Sequence, residues 1–388
     1  MRQGTNVPRS PRVVYWFPMP APYMVDRFNA LARRGNLDFE AWFTNRREPH
    51  YSGAWEVDES TWQFPYRYIP GVLVHGRAVA FPPELLGPRP PDLLVSPHGE
   101  PAYVAGWATA RRRRTRIAFW VVHTWETWQP RSAWKERLKG YMFPRTDAIL
   151  TPGEDASAYA RRYGAPSDRI IKVPHPVNSD FLDDDVRRTA AAGRERLRAE
   201  LGLRGVTFIY VGRLWWGKGV DHLLDAFAAV QGANGEPVSL LLVGDGADEP
   251  RLRARARSLG LENVVFAGFQ QRCDLPRFYA AADVFAFPTL GEPFGLVVGE
   301  AMACGLSVVS TSAVGEIRDR VEDGVNGFIV EPADSESMSR AMLALVRDPE
   351  LRYRMGASSA AKVAERTPDQ WAVDFESAAE RIFAMPKV

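Results

Sequence analysis

The sequence predicts two doubly wound α/β units arranged in succession. At 388 residues the chain is too long for a single hydrophobic core. In each half, short apolar segments typical of buried strands alternate with helical segments, a pattern that indicates a parallel sheet covered on both faces. A polar, charged segment between the halves, Pro174–Arg204, is interpreted as a linker and lead-in to the second unit.

The elements of the first unit follow from hydrophobic periodicity. Strands are predicted at Val13–Phe17, Leu37–Phe43, Asp92–Ser96, Ile117–Val122 and Ala148–Leu150. Helices are predicted at Met24–Arg34, from Glu100 to about Arg113, at Trp134–Phe143 and at Asp155–Arg162. Residues 46–80 are aromatic and irregular, and no element is assigned to them.

The second unit repeats the alternation. Strands are predicted at Val206–Val211, Val238–Val243, Asn263–Phe266, Val284–Phe287 and Ser307–Ser310. Helices are predicted at Val220–Val230, Pro250–Leu259, Leu275–Ala281 and Leu296–Cys304. In such units ligands bind at the carboxyl ends of the strands, so the loops after the strands are where functional residues are expected.

Composition narrows the class of protein. Lys and Arg number 49 against 47 Asp and Glu, whereas a nucleic-acid-binding protein usually has a large basic excess. Two cysteines, Cys273 and Cys304, imply no disulfide framework. No apolar run is long enough for a signal peptide or a membrane span, so a cytoplasmic location is expected. Abundant Arg and Ala suggest a GC-rich bacterial genome.

The most informative segment joins a strand to a helix. Glu292 follows the predicted strand Val284–Phe287, and Glu300 lies eight residues later within the predicted helix. The turn between them contains Gly295, and the free N–H groups at a helix start form an anion site suited to phosphate. At 3.6 residues per turn, Glu300 lies about two turns down the helix, near enough to accept hydroxyl protons from the same ligand.

The string from Glu292 to Glu300, with Pro293-Phe294-Gly295 after the first carboxylate, resembles the signature of retaining nucleotide-sugar glycosyltransferases of family four. The resemblance implies the GT-B fold, in which two Rossmann-like domains face each other across a cleft. It implies domains at 1–175 (acceptor side) and 176–368 (donor side), with a last helix at about 369–388 packing back on the first. It implies that Glu292 acts in catalysis by holding donor-sugar hydroxyls and that Glu300 holds the ribose. Further donor-binding residues implied are Phe294, Gly295, Leu296 and Val297.

A second motif, Gly212-Arg213-Leu214 with Lys218-Gly219, follows the first strand of the second unit. Family members carry similar residues here, which implies that Gly212, Arg213 and Lys218 bind the donor. Two cations beside a departing nucleoside diphosphate would stabilise its developing charge. Gly244, which ends another strand, and Phe269, which follows the next, are also implied in donor binding.

The same resemblance implies that neither a metal nor a cofactor is needed besides the substrate, a UDP-, GDP- or other nucleoside diphosphate sugar. The run Asp183-Asp184-Asp185 resembles an Asp-x-Asp metal motif, but no strand leads into it. A solvated linker is the preferred interpretation.

In the first unit, His123 is expected beside the donor sugar and its phosphate, in a catalytic role; the alternative is a His packed beneath Trp120 or Trp125. His98 and Glu100 end another strand and are expected to touch a substrate or to be structural. Tyr23, after a Pro-rich loop that departs from the family's Gly-rich turn, is expected to line an acceptor pocket. The aromatic stretch Trp42–Tyr68 belongs either to that pocket or to a core hairpin.

The expected activity is transfer of a sugar to an acceptor hydroxyl on a glycan, a lipid-linked sugar or a natural product. A GT-B sugar-nucleotide 2-epimerase and a non-catalytic GT-B partner subunit are the alternatives. Peripheral contact with the inner membrane face is a further hypothesis. It rests on the amphipathic segment Arg131–Phe143, which could equally pack on its own sheet.

Overall fold

Two parallel sheets dominate the structure, a computed structural model that describes residues 10–46, 58–69, 71–74, 77–80, 82–124 and 132–388. Within these ranges the first sheet has seven strands in the order β3-β2-β1-β6-β7-β8-β9, and β4 pairs with β5 in a separate antiparallel hairpin. The strands are β1 (Arg12–Phe17), β2 (Asp38–Phe43), β3 (Tyr66–Tyr68), β4 (Gly71–Val74), β5 (Arg77–Ala80), β6 (Leu93–Ser96), β7 (Arg116–Trp120), β8 (Ala148–Thr151) and β9 (Ile170–Lys172).

Helices cover both faces of this sheet, as its largely buried central strands require. They are α1 (Pro22–Arg34), α2 (Pro101–Arg112), α3 (Ala133–Met142) and α4 (Glu154–Arg162). Helix α1 begins with Pro at its first position and ends at Gly35 in the left-handed conformation, the favoured residue at each end. The sequence predictions for these elements agree with the structure to within a few residues. The largest difference among the predicted strands of this sheet is at β7, which ends at Trp120 and not at Val122, because after the Val121 N–H bond to Leu150 O the chain leaves the ladder.

The unassigned region 46–80 contributes to the first sheet. Strand β3 pairs in parallel with β2, and Phe64 just before it is 4% exposed. Trp42 on β2 is fully buried. The described aromatic residues of the stretch Trp42–Tyr68 therefore favour the core alternative, although as a parallel edge strand and not as a hairpin. Residues 47–57 of that stretch lie outside the described residues.

The segment interpreted as a linker and lead-in to the second unit is mostly helical, which the sequence analysis did not predict. It forms α5 (Ser179–Leu182), α6 (Asp184–Ala192) and α7 (Arg194–Leu201). Asp183 is the N-cap of α6, since its carboxylate accepts from the backbone N–H groups of Asp185 and Val186. The acidic run is thus a helix start: Ser, Thr, Asp and Asn side chains are favoured at this position because they satisfy unpaired N–H groups.

The second sheet has six strands, all parallel, within the described residues, in the order β12-β11-β10-β13-β14-β15. They are β10 (Val206–Val211), β11 (Val238–Val243), β12 (Val264–Gly268), β13 (Val284–Phe287), β14 (Ser307–Thr311) and β15 (Gly327–Val330). The helices are α8 (Val220–Ala233), α9 (Glu249–Ser258), α10 (Leu275–Ala281), α11 (Leu296–Ala303), α12 (Ile317–Arg320), α13 (Ser335–Arg347) and α14 (Pro349–Val363).

The last helix, α15 (Pro368–Ala384), packs on the first sheet and not on the second. Trp371 and Phe375 are buried in one cluster with Tyr15 and Phe28 of the first unit. Its Glu376 accepts from Arg34 at the end of α1, at 2.7 Å. The chain therefore crosses between the two sheets twice, once before α5 and once before α15. No helix in the described part of the chain is long and apolar enough to cross a bilayer.

Candidate active site

Lys218 and Glu292 meet at the carboxyl edge of the second sheet. Lys218 ends a short 3₁₀ turn after β10, and Glu292 follows β13, the neighbouring strand. The Lys218 Nζ donates to Glu292 Oε2, and both side chains are mostly buried, at 15% and 14% exposure. Two residues separated by 74 positions in the sequence are thus brought together as an ion pair.

The backbone around Glu292 is fixed on both sides. Its N–H donates to Ala313 O at 2.9 Å, and its carbonyl accepts from Gly315 N–H at 2.8 Å. The Phe294 N–H lies 3.4 Å from the Glu292 carboxylate. The loop after β14 therefore holds the loop after β13 in place, which sets the position of the carboxylate beside Lys218.

Gly295 is the N-cap of α11 and has a φ of 58°, in the left-handed region where glycine is favoured. A Cβ at this position would come within 2.3 Å of a Val314 side-chain carbon. Glycine is therefore required here for both conformation and space. Leu296 and Val297 open the helix, so the first turn of α11 presents N–H groups beside the Lys218–Glu292 pair.

Glu300 lies in α11 with 6% of its surface exposed. It accepts from Asn178 Nδ2 at 3.0 Å and from the Tyr279 hydroxyl at 3.1 Å. Burial raises the pKa of Glu300, although the two hydrogen bonds and nearby Arg272 act in the opposite direction. The second carboxylate of the motif is thus held rigidly by partners that sequence reasoning did not identify.

The glycines after β10 and β11 permit a close approach of two backbones. Gly244 has a φ of 131°, and a Cβ there would lie 2.0 Å from the Gly212 carbonyl oxygen. Arg213 follows Gly212, and its guanidinium carbon lies 5.6 Å from the centre of the Trp215 ring. Phe269, after β12, is partly exposed. Four predicted donor-binding residues thus follow strands of the second sheet at the edge that carries Glu292: Gly212, Arg213, Gly244 and Phe269.

Tyr23 in the first turn of α1 contacts the second unit. Its ring centre lies 5.7 Å from that of Phe294, whose other neighbour is the His175 ring at 5.0 Å. Asp26, one turn further along α1, pairs with Arg272 at 2.5 Å. The helix that follows the Pro-rich loop is therefore one wall of the contact between the two units.

His98 and His123 form a separate pair in the first unit, with ring centres 5.5 Å apart. Burial, with a smaller effect of Lys139, lowers the pKa of His123 to about 4, and burial also holds that of His98 well below its usual value. Both rings are therefore neutral near pH 7. The His123 ring also lies 6.2 Å from that of Tyr159. Glu100 is exposed at the N-cap of α2 and makes no side-chain capping bond.

Several residues of the contact between the units were missed by the sequence analysis. Arg272 pairs with Asp26 and also lies 2.9 Å from an Asp180 oxygen. His175, at the first crossing between the sheets, is buried against Glu316. No local pattern marks these residues, because each pair is joined across more than 90 positions of the sequence or forms only when the units meet.

Chemically, the edge of the second sheet offers a cation, a carboxylate and a helix start within one loop cluster. Such a set can bind a phosphate group and hold hydroxyl groups beside it. Among the residues that the structure describes, no group of three His, Cys, Asp or Glu side chains could hold a metal ion.

Comparisons with known proteins identify both halves. The family model described as Glycosyltransferase Family 4 matches residues 23–181, and that of Glycosyl transferases group 1 matches residues 194–362. A D-inositol 3-phosphate glycosyltransferase of Xylanimonas cellulosilytica is 36% identical over 224 residues, which are 56% of this chain and 52% of that protein. A phosphatidyl-myo-inositol mannosyltransferase of Mycobacterium leprae is 34% identical over 248 residues, 63% of this chain and 62% of that protein. The chain thus spans about half to three fifths of the length of these relatives.

Solved structures share the fold. Anabaena HepE in complex with UDP matches with a TM-score of 0.75 at 20% identity, covering 96% of this chain and 100% of that one. Sucrose-phosphate synthase from Thermosynechococcus elongatus matches with a TM-score of 0.71 at 18% identity, covering 96% and 99%. At these identities the likeness establishes the architecture alone. With both sheets matched in order by glycosyltransferase families, the chain belongs to glycosyltransferase family four and has the GT-B fold.

Proposed function

We propose that this protein is a retaining glycosyltransferase that moves a sugar from a nucleoside diphosphate sugar to an acceptor hydroxyl. The observation that carries the proposal is the Lys218–Glu292 pair beside the start of α11. It supplies a cation for a diphosphate and a carboxylate for sugar hydroxyls at one edge of the second sheet. The relatives named as glycosyltransferases support the reaction class.

In this proposal, Lys218 and Arg213 stabilise the negative charge that develops on the departing diphosphate. Glu292 holds donor-sugar hydroxyls, and Glu300 holds the ribose. The N–H groups of Gly295 to Val297 bind donor or phosphate, and Gly212 and Gly244 let the backbone approach it. Phe269 lines the base. Retention follows the family's front-face mechanism, in which the leaving phosphate takes the acceptor proton.

The first unit would supply the acceptor side. Tyr23 is proposed to line the acceptor pocket; because it contacts Phe294 in the loop that carries Glu292, it would lie close to the donor as well. His123 is proposed in a catalytic role beside the donor sugar and its phosphate, and His98 on the acceptor side. Both rings are neutral near pH 7, so each can donate one hydrogen bond and accept another, and can bind hydroxyl groups. Glu100 is proposed at the outer edge of this surface.

The test is a donor screen. Purified protein is incubated with UDP-, GDP-, dTDP- and ADP-sugars, first without an acceptor and then with a panel of glycans, lipid-linked sugars and phenolic natural products. Transfer with retained anomeric configuration, observed by NMR, supports the proposal. Conversion of a UDP-sugar without an acceptor would instead indicate an epimerase. Absence of any turnover would indicate a non-catalytic partner subunit.

We further propose that no metal is required. Activity should survive EDTA, because Arg213 and Lys218 would supply the positive charge that a divalent ion provides elsewhere. Complete loss of activity in EDTA with recovery in Mn²⁺ or Mg²⁺ would refute this.

We also propose peripheral docking on an anionic membrane face through α3. Trp134 and Tyr141 are 56% and 53% exposed, and the Arg145 guanidinium lies 4.3 Å from the Tyr141 ring centre. The same helix buries Met142 and Lys139 inward, so only its outer face is available. Exposed aromatic side chains beside cations are typical of interfacial helices. Sedimentation with phosphatidylglycerol vesicles but not with phosphatidylcholine vesicles, lost in Trp134→Ala/Tyr141→Ala, is expected; equal recovery with both would refute it.

A further inference from the structure

A buried ion cluster lies directly behind the Phe294–Gly295 turn. Glu316 is fully buried, and Arg320 and His175 are each 1% exposed. Glu316 Oε2 accepts from Arg320 Nη2 at 3.1 Å, and its other oxygen is hydrogen-bonded to His175 Nδ1. Arg320 therefore lies in a fixed place, because a buried carboxylate with two partners allows little rotation of either.

The second terminal nitrogen of the Arg320 guanidinium contacts the turn. This nitrogen, Nη1, donates to the Gly295 carbonyl oxygen at 2.8 Å, a buried contact. The same nitrogen would lie 3.3 Å from a Cβ at Gly299, one turn further along α11. Gly costs roughly 1 kcal/mol relative to Ala within a helix. The close approach of the guanidinium gives a reason for glycine at that position.

The hydrogen bond from Arg320 to the Gly295 carbonyl also fixes the first N–H group of α11. The Gly295 carbonyl and the Leu296 N–H belong to one planar peptide unit, so fixing the carbonyl fixes the N–H direction. A charged donor on the carbonyl also polarises the peptide and strengthens its N–H as a donor. On the far side of the turn, the His175 ring lies 5.0 Å from the Phe294 ring. The cluster thus holds the turn at both of its residues.

Resting on the proposed function, we infer that Arg320 is a positioning residue for the donor diphosphate. It orients the Gly295–Leu296 peptide and adds positive charge behind it, while Glu316 and His175 hold Arg320 in place. Arg320 touches no substrate in this role, since it is buried beneath the turn.

A purely structural role would predict different behaviour. Loss of a buried cation destabilises the fold and lowers affinity for all ligands of the cleft alike. A positioning role lowers affinity only where phosphates are bound. The two roles therefore separate on comparing a nucleoside diphosphate with its nucleoside.

Arg366 provides a matched control. Its guanidinium also lies beside Glu316, with Nη1 at 3.6 Å from Oε2, but its Nη2 donates to Asp319 O and not to Gly295. Arg366→Met removes a cation from the same cluster and leaves the contact with the turn intact.

The experiment measures calorimetric affinities for UDP, GDP, dTDP and ADP, and for the four matching nucleosides, in the full chain. Wild type, Arg320→Met, Arg320→Lys and Arg366→Met are compared, with Tm recorded for each. Arg320→Met should weaken binding of the preferred diphosphate roughly tenfold, the equivalent of about 1.4 kcal/mol, and leave nucleoside affinity unchanged. Arg320→Lys should recover part of the loss, and Arg366→Met should show little of it.

Equal losses for diphosphate and nucleoside, or equal losses in Arg320→Met and Arg366→Met, would overturn the inference. If Arg320→Met does not fold, Arg320→Lys decides, since its intermediate loss must again be confined to the diphosphate. Failure of the wild type to bind any diphosphate would refute the proposed function itself, which is a distinct outcome.

Discussion

Replacing Glu292 by Gln should tighten the binding of a free nucleoside diphosphate while removing most turnover. In the unliganded protein the Lys218 ammonium is already paired with the Glu292 carboxylate. A diphosphate that lacks its sugar must compete for that ammonium and gains nothing from Glu292. Gln removes the competing charge and keeps nearly the same shape.

The size of the effect follows from the burial of the pair. Two unit charges 4 Å apart attract by about 4 kcal/mol at an effective dielectric constant of about 20, before the cost of desolvating them is subtracted. Fully exposed pairs contribute about 0.2–1 kcal/mol. With side chains 15% and 14% exposed, the Lys218–Glu292 pair falls between these limits. A value of about 1–2 kcal/mol corresponds to roughly 5- to 30-fold tighter binding.

The assay is calorimetric titration of wild type and Glu292→Gln with the diphosphate that the donor screen selects. The control is the same substitution in a Lys218→Met background, where no competing pair exists and Glu292→Gln should leave the affinity unchanged. Unchanged or weaker binding in the single variant would refute the reasoning, as would an equal gain in the Lys218→Met background. Turnover of Glu292→Gln should fall by roughly 10²-fold or more, as for other losses of transition-state charge stabilisation.

Three other perturbations test neighbouring parts of the site. Glu300→Gln should raise the donor KM and also raise Tm at pH 7. Burial raises the pKa of Glu300, so its contribution to stability is complete below the unfolded pKa of about 4.3 and is lost as the pH rises. A lower Tm of the variant at pH 7 would contradict this. Asp26→Asn and Arg272→Met should each weaken the contact between the units. In urea unfolding, a double-mutant cycle of the two substitutions should give a coupling energy of about 1 kcal/mol that shrinks at high salt, since the pair is partly exposed. Additive effects of the two substitutions at all salt concentrations would exclude a direct pair. His123→Phe should reduce the loss of stability between about pH 6.5 and about pH 4, because the pKa of His123 is about 4 in the folded protein and about 6.5 in the unfolded chain. Urea unfolding of wild type and variant at pH 7 and pH 4.5 measures this, and the same loss of stability in both proteins would count against it.

The pattern of strands and helices could be predicted because each element carries its own signal. Buried strands of a parallel sheet are apolar at nearly every position, as in Val238–Val243, and every residue of that strand is buried. The helix start at Asp183 was not predicted because a charged run fits a helix cap as well as an irregular linker. Strand β3 was missed because three aromatic-flanked residues at a sheet edge are too few to show a period.

Some residues of the candidate site could likewise be identified from the sequence, whereas their pairing could not. Glu292, Gly295 and Glu300 could be selected from the sequence because they stand close together in one strand-to-helix turn. Lys218 could be selected as a cation at a strand end, but not as the partner of Glu292. The predicted roles of the site residues remain to be tested by the variants above.

The sequence by itself determined the two α/β units, their order and the loop that carries the paired carboxylates, because these depend on local periodicity and on contacts a few residues apart. Only the tertiary structure decided that Lys218 pairs with Glu292, that Arg272 meets Asp26 across the two units, and that Arg320 lies behind Gly295. Such pairs are set by how sheets and helices pack. Charged side chains far apart in the chain have many suitable partners, and the fold selects one by bringing it within hydrogen-bonding distance.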